Sequence, residues 1–161
     1  MICVKCYKFQ VISFMLYIAS DHGGFKLKEY LKNFLRKSKV KFTDLGSKKF
    51  DPTDDYPDFA ELVARKVSRN PKKDLGILVC RSGQGVCIVA NKFKHVRAGL
   101  VWNVPEAKFS RNDDMSNILC LPSDHISPHT AEKIVAVWLT TPYSTQERHI
   151  RRVKKISQLE K

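Results

Sequence analysis

The sequence predicts a single doubly wound, Rossmann-like α/β domain: a five-stranded parallel sheet with helices on both faces. Three observations carry this. Apolar runs of strand length alternate with segments of helical periodicity along the chain, the pattern of β–α–β units. The chain has 161 residues, which suits one domain with a full core. The apolar run Leu75–Val79 breaks into Cys80-Arg-Ser-Gly-Gln-Gly85 and then into a helix, as a strand, turn and helix N-terminus would.

Leu16–Ser20 reads as the first buried strand, followed by the turn Asp21-His-Gly-Gly24. Phe25, Leu27, Tyr30, Leu31, Phe34 and Leu35 then recur at helical spacing with lysines opposite. Val40–Leu45 is the second strand, and Ser47–Tyr56 a polar loop. Pro57 opens a helix marked by Phe59, Leu62, Val63 and Val67 and ended by Asn70-Pro71. The third strand and helix surround Cys80. Arg97–Trp102 is the fourth strand, Pro105–Arg111 a short helix, Asn117–Leu121 the fifth strand and Thr130–Leu139 a helix. A last helix runs from Glu147 towards Leu159. With the strand order 2-1-3-4-5, the switch point where such sheets bind ligands falls between strands one and three. Asp21 and His22 then face Cys80–Gly85. The dinucleotide fingerprint G-x-G-x-x-G is absent after the first strand.

The chain carries 29 Lys and Arg against 16 Asp and Glu, a formal charge of +13. The basic residues are dispersed over two helices, and no tract alternates them with aromatics. Solvated helix faces, or steering of a small anionic substrate, therefore stand ahead of nucleic-acid binding. Of the five cysteines, Cys80, Cys87 and Cys120 sit in or beside apolar runs. Cys3 and Cys6 form a lone C-x-x-C without a second ligand pair, which argues against zinc. An odd count without a disulfide framework fits a reducing, cytoplasmic setting. Nothing in the sequence is long enough to span a membrane. Residues 1–14 lack a clean apolar stretch and a cleavage site, and read as an appendage or an early start ahead of a domain over 15–161.

Four groups carry potential chemistry. The turn after strand three has free backbone N–H groups at a helix start, an anion cradle. Cys80 at its mouth reads either as a strand-end core residue or as a base or nucleophile whose pKa the helix terminus and Arg81 lower. Asp21 and His22 read either as a capping aspartate with a surface histidine or as a ligand-orienting carboxylate with an anion-binding imidazole. Arg148 and Arg152, four apart on the last helix, read as a solvated basic face or a phosphate clamp. Asp113 and Asp114 precede the fifth strand, where adjacent carboxylates are usually solvated. His95, His125 and His129 have no metal-like spacing.

Taken together, Ser20-Asp-His-Gly-Gly-Phe-Lys-Leu-Lys28, Asp55-Tyr-Pro57, Val79-Cys-Arg-Ser-Gly-Gln-Gly85, Ala90-Asn-Lys92, Ser116-Asn-Ile-Leu119 and Arg148-His-Ile-Arg-Arg152 resemble ribose-5-phosphate isomerase type B and the galactose-6-phosphate isomerase subunits. The match runs in register from about Met15 to Ile156. The resemblance implies a metal-free and cofactor-free aldose–ketose isomerase, working through a cis-enediolate. It implies Cys80 as base, with Ser82 and the N–H groups of Gly83, Gln84 and Gly85 stabilising the oxyanion. Asp21 would bind sugar hydroxyls, and His22, Arg148 and Arg152 the phosphate. Tyr56, Arg81 and Asp114 complete the implied substrate-binding set. A homodimer or homotetramer with shared active sites is implied as well.

The pattern departs at three positions. The family usually carries a histidine at the position of Asp113, where it opens the furanose ring; a carboxylic acid there needs a raised pKa to do the same. It usually carries a phosphate-holding arginine at the position of Asp124, where an aspartate repels phosphate unless His125 or Arg111 compensates. Arg81 replaces a common glycine. Three readings result: ribose-5-phosphate isomerisation, the same fold with another sugar phosphate, or a non-catalytic anion- or nucleic-acid-binding protein.

Overall fold

The computed structural model describes residues 14–160. The expectations for the N-terminal stretch and for Cys3 and Cys6 lie outside these residues, apart from Phe14, which packs against the core. Five parallel strands form one sheet: β1 (Met15–Ser20), β2 (Phe42–Gly46), β3 (Asp74–Cys80), β4 (Ala98–Leu100) and β5 (Ile118–Pro122). Their spatial order is β2-β1-β3-β5-β4. This corrects the expected order 2-1-3-4-5 at its far end. The reason is burial: every residue of β5 is buried, as an interior strand requires, whereas β4 has three half-buried residues and takes the edge. The switch between β1 and β3 stands as expected.

Among the described residues, six helices accompany the sheet. Those built as α1 (Phe25–Lys37), α4 (Val104–Asn112) and α5 (Pro128–Thr140) cover one face, packing on Leu16, Ile18, Ile77, Val79, Leu119 and Leu121. The pair α2 (Tyr56–Arg69) and α3 (Gln84–Ala90) covers the other, against Ala19, Leu78, Cys80, Ile118 and Cys120. Two helices begin earlier than their apolar periodicity indicates because caps extend them. The Asn103 side chain accepts from the Glu106 N–H at 2.8 Å, and the Ser127 side chain from the Thr130 N–H at 3.1 Å, each with a proline in the first turn. Helix α6 (Glu147–Ser157) is different: His149 is its one buried residue, and Ile150 and Ile156 stay exposed.

Two buried polar devices fix the ends of the sheet. Trp138, fully buried, donates to the Ser116 hydroxyl at 2.9 Å. The Arg111 guanidinium lies between the Trp138 and Tyr143 rings, 4.9 and 4.3 Å from their centroids. On the other side, the fully buried Lys28 ammonium donates to Asp44 at 3.1 Å and to the Ser47 carbonyl. These bonds hold the start of the 47–55 loop against α1, and the Ser47 N–H, donating to the Ser20 carbonyl at 2.7 Å, ties it to β1. The three described cysteines are free thiols, and Cys87 donates to the Ala98 carbonyl at 3.2 Å.

Removing one partner of a buried ion pair strands the other charge. Asp44→Asn is therefore expected to cost about 3 kcal/mol of unfolding free energy in a denaturant titration. Burial pushes the Asp44 carboxyl up, but hydrogen bonds from Lys32, the Gly46 N–H and Lys28 outweigh it and leave it below the usual carboxylate range. The wild-type stabilisation from Asp44 is thus present above the unfolded carboxyl pKa and is lost as pH falls through the depressed folded value. The Asn variant should lack that acid limb.

Candidate active site

Three turns meet at the carboxyl edge of the sheet because β1, β3 and β5 are adjacent and parallel. The turn after β1 lies so close to β3 that a Cβ on Gly24 would collide with the Val79 carbonyl. A Cβ on Gly23 would lie 2.6 Å from Arg81 Cγ and 3.3 Å from Asp21 Oδ1. The turn after β5 is tied in by Ser123, whose hydroxyl donates to the Gly23 carbonyl at 2.9 Å and whose N–H donates to the Cys80 carbonyl at 2.9 Å. Asp21, His22, Cys80 and the 81–85 turn are thus brought together as expected. Tyr56 joins them from the start of α2, its ring 2.6 Å from where a Gly85 Cβ would stand.

Cys80 is 5% exposed, the last residue of β3. Gly83 takes φ = 72°, the left-handed conformation that folds the turn back over it. The Gly83 N–H donates to the Cys80 sulfur at 3.2 Å, and the backbone N–H groups of Val86 and Ser82 also act on it. The Gln84 N–H donates to the exposed Ser82 hydroxyl at 3.3 Å. The cradle read from sequence is therefore wrapped first around the sulfur itself. The Cys80 thiol nevertheless goes the opposite way from the expected lowering. Burial pushes it up, the N–H groups pull it down by less, and Asp21 adds a further push up. Arg81 is not among the main groups acting on it; its side chain runs across Gly23 to Asp124, with Nη1 3.7 Å from Oδ2.

Asp21 is buried and accepts from the Gly24 N–H at 2.9 Å, the capping contact, and burial raises its carboxyl. The sequence reading missed Asp54. Its Oδ1 accepts from both the backbone N–H and Nδ1 of His22, each at 2.8 Å. That hydrogen bond raises the imidazole pKa, so His22 holds its proton to higher pH and leaves Nε2 free. The signal was present as an aspartate-rich loop, but nothing local says which of Asp51, Asp54 and Asp55 reaches the histidine.

Asp113, Asp114, Arg148 and Arg152 do not join this cluster within one chain. Helix α4 runs antiparallel to the strands, so Asp113 at its end lies at the amino edge of the sheet. The seven residues of β3, at about 3.3 Å each, separate the two edges by roughly 20 Å. Exposed Arg148 and Arg152 project from α6 at that same edge. Asp113 meets His149 there, Oδ1 to Nδ1 at 3.5 Å, while exposed Asp114 lines a cavity of about 850 Å³ between the end of α6 and the 91–99 segment. Arg111, held by Trp138 and Tyr143, is a structural residue and does not compensate Asp124. Among the described residues no group of His, Cys, Asp and Glu could hold a metal ion, and no helix is long and apolar enough to cross a membrane.

A buried thiol, a carboxylate and a charge-held imidazole meet at the switch point of this sheet, a set of groups chemically able to move protons on a small anionic molecule. Residues 16–156 match the family model described as Ribose/Galactose Isomerase. A Mycoplasma genitalium protein is 45% identical over 150 residues, 93% of this chain and 98% of its own length. Ribose-5-phosphate isomerase B of Mycolicibacterium paratuberculosis is 33% identical over 146 residues, 91% of each chain. The crystal structure of the M. genitalium isomerase B with bound ribulose 5-phosphate matches at a TM-score of 0.89, with 45% identity over 92% of this chain and 97% of that one. The chain belongs to the ribose/galactose isomerase family, and is an aldose–ketose isomerase.

The Asp54–His22 bond makes a direct prediction. Asp54→Asn should move the His22 pKa down towards the ordinary histidine value, followed by NMR titration of the imidazole; an unmoved titration would show that Asp54 does not hold that proton.

Proposed function

We propose that the chain interconverts ribose 5-phosphate and ribulose 5-phosphate, with Cys80 as the base. The observation that carries this reading is the Cys80 sulfur, buried at the carboxyl end of β3, ringed by backbone N–H groups and set beside Asp21. In the open-chain aldose the Cys80 thiolate takes the C2 proton. The C2–H electrons form the C1=C2 bond, and the carbonyl O1 becomes the enediolate oxygen. The proton returns to C1, and the O2 proton passes to O1 as the ketone forms. Ser82 and the outer N–H groups of the turn face the developing charge. Asp21 orients a sugar hydroxyl, and Tyr56 closes the side of the site.

The phosphate is held by the His22 imidazolium together with Arg148 and Arg152 of a second copy of the chain, in a homodimer or a larger even assembly. Two features support this division: the two half-sites lie at opposite sheet edges in one chain, and α6 leaves Ile150 and Ile156 uncovered. Asp113 of the second copy opens the ring. Arg81 supplies, from the β3 turn, the positive charge that the family's arginine would supply at position 124, and Asp124 steadies it. A guanidinium is thus kept near the phosphate while its source moves, and Asp124 beside it leaves the pair one charge unit lower than a glycine and an arginine would.

Purified protein mixed with ribose 5-phosphate should yield ribulose 5-phosphate, and Cys80→Ala should lose about 10²–10⁴-fold in kcat while remaining folded. Full activity in that variant would refute the base. A base with a raised pKa gains activity as pH rises, so the kcat/KM profile should climb through and above the ordinary thiol range. For the charge exchange, Arg81→Gly should raise KM about 10-fold, and adding Asp124→Arg to it should restore most of the loss. Additive losses in the double variant would show that the two positions do not exchange roles.

A further inference from the structure

His149 is a buried polar residue that neither the fold nor the reaction above accounts for. It is 4% exposed, in the first turn of α6. Its Nε2 accepts from Arg148 Nε at 3.0 Å. A nitrogen that accepts carries a lone pair, so in the neutral ring the proton sits on Nδ1. That N–H faces Asp113 Oδ1 at 3.5 Å, too long for a good hydrogen bond, and among the described residues Nδ1 has no hydrogen-bond partner. A buried donor left open in this way needs an explanation. Looseness of the backbone is not it. The Ser144 N–H donates to the Asn112 carbonyl at 3.0 Å, Asn112 Nδ2 donates to the Pro142 carbonyl at 2.9 Å, and Arg111 grips Tyr143. The segments leading into Asp113 and into His149 are tied to each other, and the Asp113 carboxylate is the solvent-facing member of the pair, 37% exposed.

We propose that His149 is a positioning residue of the second copy's half-site, its single ring setting the phosphate-binding guanidinium of Arg148 through Nε2 and the ring-opening carboxylate of Asp113 through Nδ1. This rests on the reading that Arg148 and Asp113 complete the Cys80 site of another copy. The open Nδ1–H closes on Asp113 when substrate draws the carboxylate into place. The imidazole that the family's usual pattern puts at position 113 is here one residue back from the substrate, behind a carboxylate that it orients.

The two ring nitrogens can be removed separately. His149→Asn keeps a donor near the Nδ1 position and removes the acceptor for Arg148; His149→Gln keeps an acceptor near Nε2 and removes the donor to Asp113. Steady-state assays with ribose 5-phosphate should show KM raised about 10-fold with kcat kept in His149→Asn. They should show kcat lowered about 10- to 100-fold with KM kept in His149→Gln. Thermal unfolding of both variants sets the folded fraction. If both lose activity only in proportion to that fraction, with KM unchanged, His149 is a packing residue and the proposal falls. Asp113→Asn and Arg148→Ala are assayed beside them. Wild-type kinetics in those two would overturn the shared-site reading itself, and impaired kinetics there with normal His149 variants would overturn the positioning role alone.

Discussion

The close approach of the β1 turn to the end of β3 is the constraint on which the site depends. Parallel pairing of Met15–Ser20 with Asp74–Val79 sets the two strand ends level. Only glycines at 23 and 24 then let the first turn lie on the backbone of the second. That contact puts a carboxylate beside the buried sulfur and routes Arg81 outward instead of inward. It also gives the β5 turn a carbonyl to bond, so the third turn is fixed by the first two. The chemistry follows from a packing requirement satisfied before any substrate arrives.

Much of this was legible in the residues. Alternating periodicities gave the layers, and the break of an apolar strand into Cys80–Gly85 marked the working edge. What sequence could not supply was mostly the outcome of competition between neighbours. The β4/β5 order depended on which strand was the more completely buried, a comparison across the sheet and not along it. The direction of the Cys80 shift depended on burial outweighing three N–H groups, while sequence displays the helix start and the arginine but not the desolvation. Arg81 and Asp124 looked like two separate departures from a family pattern and turned out to be partners.

The separation of Asp113 from the Cys80 cluster has the same origin. A helix that returns antiparallel to its strand must deliver its last residues to the far edge, so Asp113 and Cys80 cannot meet in one chain. Sequence spacing carries no such information, because residues 80 and 113 are linked by one strand and by two helices that both run opposite to it. His149 sat inside a motif noted for its arginines, and its burial on an otherwise exposed helix is visible only in three dimensions.

The elevated Cys80 thiol has a bearing on durability. Peroxides and alkylating agents react with thiolates, and a sulfur kept protonated by its surroundings presents few of them at neutral pH. Burial therefore keeps that cysteine chemically quiet at neutral pH. The burial that makes it the stronger base once ionised also shelters it from the oxidants that inactivate low-pKa cysteines.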